Sequence, residues 1–190
     1  MIKLKLPITP KKLNDLNVGD YVEISGRIFT ARDKASRWLS SEKIPEKLSS
    51  KIKNSVIYHC GPIMAGKKSF VALSAGPTTS ERMFPYLTDL NKKYRVKAVI
   101  GKGGFRNTNI FKKNKMVYLH SLSGCGALLA KKIIKVHSVF GLKEFGMPEA
   151  IWEIEVKDFP VLVTIDSKGN NLHDKIYAES GKIAKKLENS

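Results

Sequence analysis

Cysteine is scarce in this chain, and the two that occur, Cys60 and Cys125, lie too far apart to form a CxxC pair. That argues against a disulfide framework and against a zinc site of the usual spacing. It also argues against an iron–sulfur cluster held by this chain alone, which needs three or four thiolates. The four histidines (His59, His120, His137 and His173) show no HxxxH spacing. No apolar run approaches the ~20 residues that a membrane helix requires. The first residues, Met-Ile-Lys-Leu-Lys, put charge where a signal peptide carries its apolar segment, so the cytoplasm is the expected compartment. Internal repeats, low-complexity tracts and linkers that would split the chain are also lacking.

Acidic residues are missing from one long block. From Leu90 to Lys143 there are 13 Lys or Arg and no Asp or Glu, within a chain of net charge +17. Such a block fits nucleic acid, an anionic substrate, an acidic protein partner, or a solvated lysine-rich face. Aromatic interleaving is sparse, since Tyr94, Phe105, Phe111, Tyr118 and Phe140 are scattered, and no nucleic-acid-binding motif is recognised. Nucleic acid is therefore not the expected partner.

What remains is an ordinary globular composition, 42% hydrophobic and 27% charged, over 190 residues that suit one good-sized domain. Residues 1–18 read as an extended basic arm, with Pro7 and Pro10 opposing a helix; residues 19–190 form the domain proper. Tyr21 to Phe29 alternates as a strand, and Thr30-Ala-Arg-Asp33 opens a helix through Leu39, with Thr30 as N-cap and Asp33 as reciprocal capping carboxylate. Lys43 to Lys53 reads as a short helix or surface segment. Strands are expected at Val56–Cys60, Phe70–Leu73, Lys97–Ile100 and Met116–His120, and helices over Asn107–Lys113 and Ala127–Ile134. Glu153–Val156 and Val161–Ile165 read as two strands paired around Pro160, and Leu172–Leu187 as a terminal helix. The expected class is α/β, a mixed sheet flanked by helices.

Gly61-Pro-Ile-Met-Ala-Gly-Lys-Lys68 nearly matches a phosphate-cradling loop, and Val161–Asp166 resembles the strand that ends in a magnesium ligand. Position 68 is Lys where the metal-binding hydroxyl is required, and a strand follows where a helix must open. Nucleotide hydrolysis is excluded on those grounds.

The more informative stretch is Ser74-Ala-Gly-Pro-Thr-Thr-Ser-Glu-Arg82, a strand delivering a Gly-Pro turn into a hydroxyl-rich helix start. Backbone N–H groups there present the positive end of a dipole. Thr78-Thr-Ser-Glu81 has the form of a capping box, which makes Thr78 either a helix cap or a site residue. Pro85 would break an interior turn, leaving the first turn as a separate short piece. Arg82 lies one turn into this segment, Arg32 just past its own helix start, and Gly101-Lys-Gly-Gly104 directly after a strand. Each is weak alone. Together they place cations and helix starts at strand C-termini, where open α/β sheets bind ligands.

Six ordered segments carry a resemblance: Gly19–Asp33, Gly61–Gly66, Ser74–Met83, Ile100–Gly104, Gly146–Trp152 and Phe159–Asp166. The chain resembles the β subunit, or C-terminal domain, of class I iron–sulfur fumarate hydratases and the related L(+)-tartrate dehydratases. The resemblance implies a swivelling β/β/α domain and a hydro-lyase that adds water reversibly to fumarate, giving malate. It also implies a partner α subunit that carries a 4Fe-4S cluster, and a chain inactive without it. The family's substrate-contacting positions fall on Arg32, Thr78, Arg82 and Lys102. Arg32 and Arg82 would bind the carboxylates, Lys102 would compensate charge or orient, and Thr78 would handle the carbon-bound proton or position substrate. Tartrate, or another 2-hydroxydiacid, is the alternative substrate. Ser123-Gly-Cys-Gly-Ala127 matches the family only loosely, and Cys125 is expected as a packed small residue.

Overall fold

The computed structural model describes every residue except Glu42, Lys43, Lys68, Asn189 and Ser190. The beginning of the Lys43–Lys53 segment and the lysine at position 68 therefore lie outside the described residues. In chain order the elements are β1 (Ile2–Lys5), α1 (Pro10–Asp15), β2 (Tyr21–Thr30), α2 (Asp33–Ser40), α3 (Glu46–Ile52), β3 (Val56–Tyr58), β4 (Ile63–Ala65), β5 (Val71–Ser74), α4 (Phe84–Tyr94), β6 (Ala98–Gly101), α5 (Asn109–Asn114), β7 (Val117–His120), α6 (Gly126–Ala130), β8 (Ile133–Phe140), α7 (Leu142–Phe145), β9 (Ile151–Ile165) and α8 (Leu172–Glu188). Short 3-10 turns occupy Ser80–Met83 and Met147–Glu149.

The mixed α/β class holds, and the sheet closes on itself. Strands β2, β3, β6 and β7 run parallel side by side. The long β9 pairs antiparallel with β7 at one end of this row and with β2 at the other, completing a ring. Strand β1 adds in parallel beside the first half of β2, and β8 adds antiparallel along the first half of β9. Strands β4 and β5 form a separate hairpin.

Side-chain alternation sorts the ring residues into two apolar cores. Ile24, Ile28, Val56, Tyr58, Ala98, Ile100, Val117, Leu119, Trp152 and Ile154 share one, with Leu13 of α1 and Leu129 of α6 packed against them. The intervening Phe29, Ile57, Val99, Tyr118 and Ile151 face the other, under Leu39, Leu48, Leu87, Leu90 and Phe111 from helices α2 to α5. Parallel strands covered on both faces need apolar residues at every position, which is why they read as continuous runs.

Several local expectations change. Pro10 does not oppose a helix; it sits in the first turn of α1, where its missing N–H costs nothing, and Thr9 caps the turn through its hydroxyl. Thr30 is no N-cap. It is the last residue of β2, fully buried, its hydroxyl accepting from Trp152 N at 3.0 Å and donating to Ala150 O. The two strands expected around Pro160 are one continuous β9. Asp158, at φ +50°, introduces the irregularity there, and Ser25 receives its backbone N–H. The helix expected through Ile134 stops at Ala130, because Ile133 onward has joined β9 as β8. As Pro85 suggested, Ser80–Met83 is a separate 3-10 turn, and α4 begins afresh with Pro85 in its first turn.

Candidate active site

The C-terminal ends of β2, β3, β6 and β7 lie at one edge, so the residues that follow them meet there. Arg32 and Asp33 follow β2, His59 follows β3, and Lys102 follows β6. The segment after β5 is drawn in by backbone bonds: Thr78 N donates to His59 O at 2.7 Å, Lys102 N to Thr78 O at 3.2 Å, and Ser80 N to Lys102 O at 3.1 Å. This short ladder brings Thr78 and Lys102 together, and Arg82 follows within the 3-10 turn.

Thr78 is therefore no helix cap. Thr79 occupies the cap position without a capping side-chain bond, while both backbone polar groups of Thr78 serve the ladder. Glu81 is likewise no capping-box partner, because its carboxylate accepts from Arg106 N at 3.2 Å.

Asp33 lies between the two arginines, with its Oδ2 3.7 Å from Arg32 Nε. Its Oδ1 accepts from Arg82 Nε at 3.1 Å and its Oδ2 from the adjoining terminal nitrogen, a side-on bidentate pair. Arg82 also donates from its other terminal nitrogen to Thr78 Oγ1 at 3.4 Å. Three of five guanidinium donors are thus engaged and two remain. Asp33 was expected to cap its own helix; instead Glu149, from a distant segment, accepts from Lys34 N at 2.8 Å at the start of α2. The same Glu149 lies 3.2 Å from Arg32 Nε, close enough for charge but not aligned for a hydrogen bond. Lys102 makes no ion pair among the described residues.

The cluster is open to solvent, with the side chains of Arg82 and Asp33 47% and 38% exposed. Gly61 packs directly on Arg32, since an added Cβ would lie 2.7 Å from Arg32 Cδ. The Pro148 carbonyl oxygen is equally close at 2.7 Å, so packing against Arg32 and that carbonyl, and no phosphate, explains Gly61. A separate cleft lined by Leu6, Arg27, Lys51 and Glu153 shares no residue with the cluster. Its Glu153 carboxylate is already taken up by Arg27, Lys51 and Ser138, so that cleft reads as a structural ion-pair network.

The chain's thiols do not fit a cluster. Cys60 is fully buried, and burial pushes its pKa up to about 12, while Cys125 packs against the core. Among the described residues no three His, Cys, Asp or Glu side chains gather as a metal site. No described helix is long and apolar enough to cross a membrane.

The arrangement gathers two arginines and a lysine at one sheet edge, with a hydroxyl beside a guanidinium. The sequence profile of the Fumarase C-terminus family matches residues 1–176, and the chain belongs to that family. It is 41% identical over 184 residues to a Geobacillus stearothermophilus protein provisionally named fumarate hydratase class I, covering 95% of this chain and 35% of that relative. The chain thus spans about a third of that protein's length. It is 41% identical over 174 residues to a Methanocaldococcus jannaschii protein provisionally named L(+)-tartrate dehydratase subunit beta, covering 89% of each. It is 36% identical over 184 residues to the L(+)-tartrate dehydratase subunit beta of Escherichia coli, covering 93% of this chain and 90% of the relative.

Sequence reasoning placed Arg32, Thr78, Arg82 and Lys102 in one site, and they are neighbours in the structure. It missed Asp33 and Glu149 as their partners, and it missed His59 and Ser80 beneath them. Asp33 and Glu149 both lie inside the quoted segments, so their membership was visible and their roles were not.

Proposed function

We propose that this chain is the β subunit of an iron–sulfur hydro-lyase that interconverts fumarate and (S)-malate. The observation that carries the proposal is the Asp33-centred cluster, which holds Arg82 against the Thr78 hydroxyl while Lys102, bound to Thr78 through the backbone, keeps an ammonium with no ion pair among the described residues. Arg32 and Arg82 bind the substrate carboxylates, for which the planar guanidinium fork is suited. Removing the proton beside a carboxylate builds charge on that carboxylate, and Lys102 and Arg82 stabilise it as it forms. Thr78 handles the carbon-bound proton or positions the substrate, and the Arg82 guanidinium beside its oxygen favours the deprotonated hydroxyl.

The 4Fe-4S cluster belongs to a partner α subunit; when bound there it supplies Lewis acidity toward the substrate hydroxyl and a carboxylate. This chain closes the site from the other side as a swivelling domain, works in the cytoplasm, and is inactive by itself. A second reading, L-tartrate or another 2-hydroxydiacid as substrate, is favoured by the relatives of matching length, which are named as tartrate dehydratase β subunits. Anaerobic reconstitution with the partner decides between them. Faster hydration of fumarate than dehydration of tartrate supports the first, the opposite ratio the second, and activity on neither sinks both.

A further inference from the structure

Beneath the site lies a chain of three buried side chains with no part in the roles assigned above. Tyr118 donates its hydroxyl hydrogen to Ser80 Oγ at 3.0 Å, and Ser80 Oγ stands 2.9 Å from His59 Nδ1. All three residues are fully buried. No other acceptor for the serine hydrogen occurs among the described residues, so we assign it to His59 Nδ1, which leaves the imidazole neutral with its proton on Nε2. Burial enforces the neutral form, lowering the His59 pKa from 6.5 to about 3, against the opposing pull of Asp33. Nε2 has no hydrogen-bond partner among the described residues. An unpartnered buried donor weakens a fold, so stability alone does not account for a histidine here.

His59 grips one short segment at two points. Its backbone carbonyl receives Thr78 N at 2.7 Å, and its ring receives the hydroxyl of Ser80. Lys102 holds the same segment from the other side, through Thr78 O and Ser80 N. Gly101 makes room for the joint, because a Cβ there would lie 1.8 Å from Ser80 Oγ. The arginines are held by carboxylates outside the clamp, Arg82 side-on by Asp33 and Arg32 between Glu149 at 3.2 Å and Asp33 at 3.7 Å.

We propose that His59 and Ser80 are positioning residues, a neutral clamp that fixes Thr78 and Lys102 relative to one another and so governs turnover rather than substrate affinity. The proposal rests on the site reading given above. Carboxylate binding through the arginines is left intact when the clamp is loosened, whereas the proton-handling geometry is not.

The test uses the complex assembled with its partner subunit and three variants, His59→Leu, Ser80→Ala and His59→Asn. Asparagine places an acceptor oxygen where the ring places Nδ1. His59→Leu and Ser80→Ala are expected to lower kcat about 10–100-fold, the scale on which small misplacements act. KM is expected to stay within about threefold, and His59→Asn to recover most of the loss. A His59→Leu complex with parental kcat, a KM that rises as far as kcat falls, or a His59→Asn variant as impaired as His59→Leu overturns the proposal. Should His59→Leu fail to fold, Ser80→Ala decides, since it removes a single hydroxyl. Nitrogen NMR of the full chain labelled at histidine is the independent readout: His59 is expected neutral and protonated on Nε2 from about pH 5 to 8. The other tautomer overturns the clamp. A parent complex that turns over neither diacid defeats the functional reading, and the tautomer then still decides the clamp.

Discussion

Asp33 and Arg82 form a side-on pair across two elements, with Nε and a terminal nitrogen of the guanidinium both donating to one carboxylate. The pair orients Arg82 and also offsets part of its charge, two effects with opposite signs for an anionic substrate. Magnitudes decide. Both side chains are more than a third exposed, so the charge effect is screened and an isolated pair there is worth only about 0.2–1 kcal/mol. Orientation of the remaining donors is not screened. Asp33→Asn is therefore expected to raise KM for the diacid about 3–10-fold while changing folding stability by less than about 1 kcal/mol. Steady-state kinetics of the assembled enzyme and urea denaturation of the chain check the two halves. A lower KM would mean that charge offset dominates.

The arginines themselves carry larger effects. Hydrogen bonds between charged groups are worth about 1.5–3 kcal/mol each, so loss of a bidentate contact is expected to lower kcat/KM at least ~100-fold. We expect this for Arg32→Ala and for Arg82→Ala, with assembly onto the partner retained by size-exclusion chromatography. Lysine at either position should restore charge but little activity, since it lacks the planar fork. Near-parental turnover in either alanine variant would remove that residue from the site.

What the sequence disclosed follows what each signal depends on. The apolar runs of β3, β6 and β7 were legible because strands buried on both faces leave no ambiguity of hydropathy. Strand β8 was not, because its Lys135 and His137 sit among half-buried positions and resemble a helix tail. Thr30 was misread as a cap, and Thr78 was left between cap and site residue, for one reason. A hydroxyl before a helix is a local signal, while Trp152 N, Ala150 O, His59 O and Lys102 N, which satisfy these residues, are distant in sequence. The cations were visible in their quoted segments. Asp33 and Glu149 were not assignable to them, since an ion pair joining residue 33 to 82, or 32 to 149, leaves no trace in spacing.

Gly101 is a point where one methyl group tests the packing of the clamp. Its backbone needs no left-handed conformation, so Gly101→Ala acts only through space. The new Cβ would meet Ser80 Oγ at 1.8 Å and Tyr118 Oη at 3.3 Å. Overpacking of this kind costs about 1–3 kcal/mol. In a Ser80→Ala background the nearest clash disappears, so the same substitution is expected to cost less, an interaction energy beyond ~0.5 kcal/mol in a double-mutant cycle. Additive costs would show that Ser80 does not fill the space.

Buried His59 also couples the fold to pH, and the sign can be worked out. Its folded pKa is lowered to about 3 from an ordinary 6.5. Between those values the unfolded chain binds a proton that the folded chain refuses, so stability is full above pH 6.5 and falls as the pH drops toward 3. One proton contributes at most about 1.4 kcal/mol per pH unit in that window. His120 and His173, both lowered chiefly by burial, act in the same direction. Burial raises the Glu153 pKa, but Lys51, Ser138 and Arg27 outweigh it and hold the carboxyl low, so its loss begins only in more acidic solution. A single curve therefore cannot isolate His59, but a difference can. His59→Asn keeps the Ser80 contact and has no proton to take up. Urea unfolding free energies measured from pH 7 to 4.5 are expected to fall less steeply for His59→Asn than for the parent. The two curves should differ by up to about one proton in slope below pH 6. Parallel curves would mean that the imidazole is protonated in the folded chain, and the clamp beneath Thr78 would then have to be a charged one.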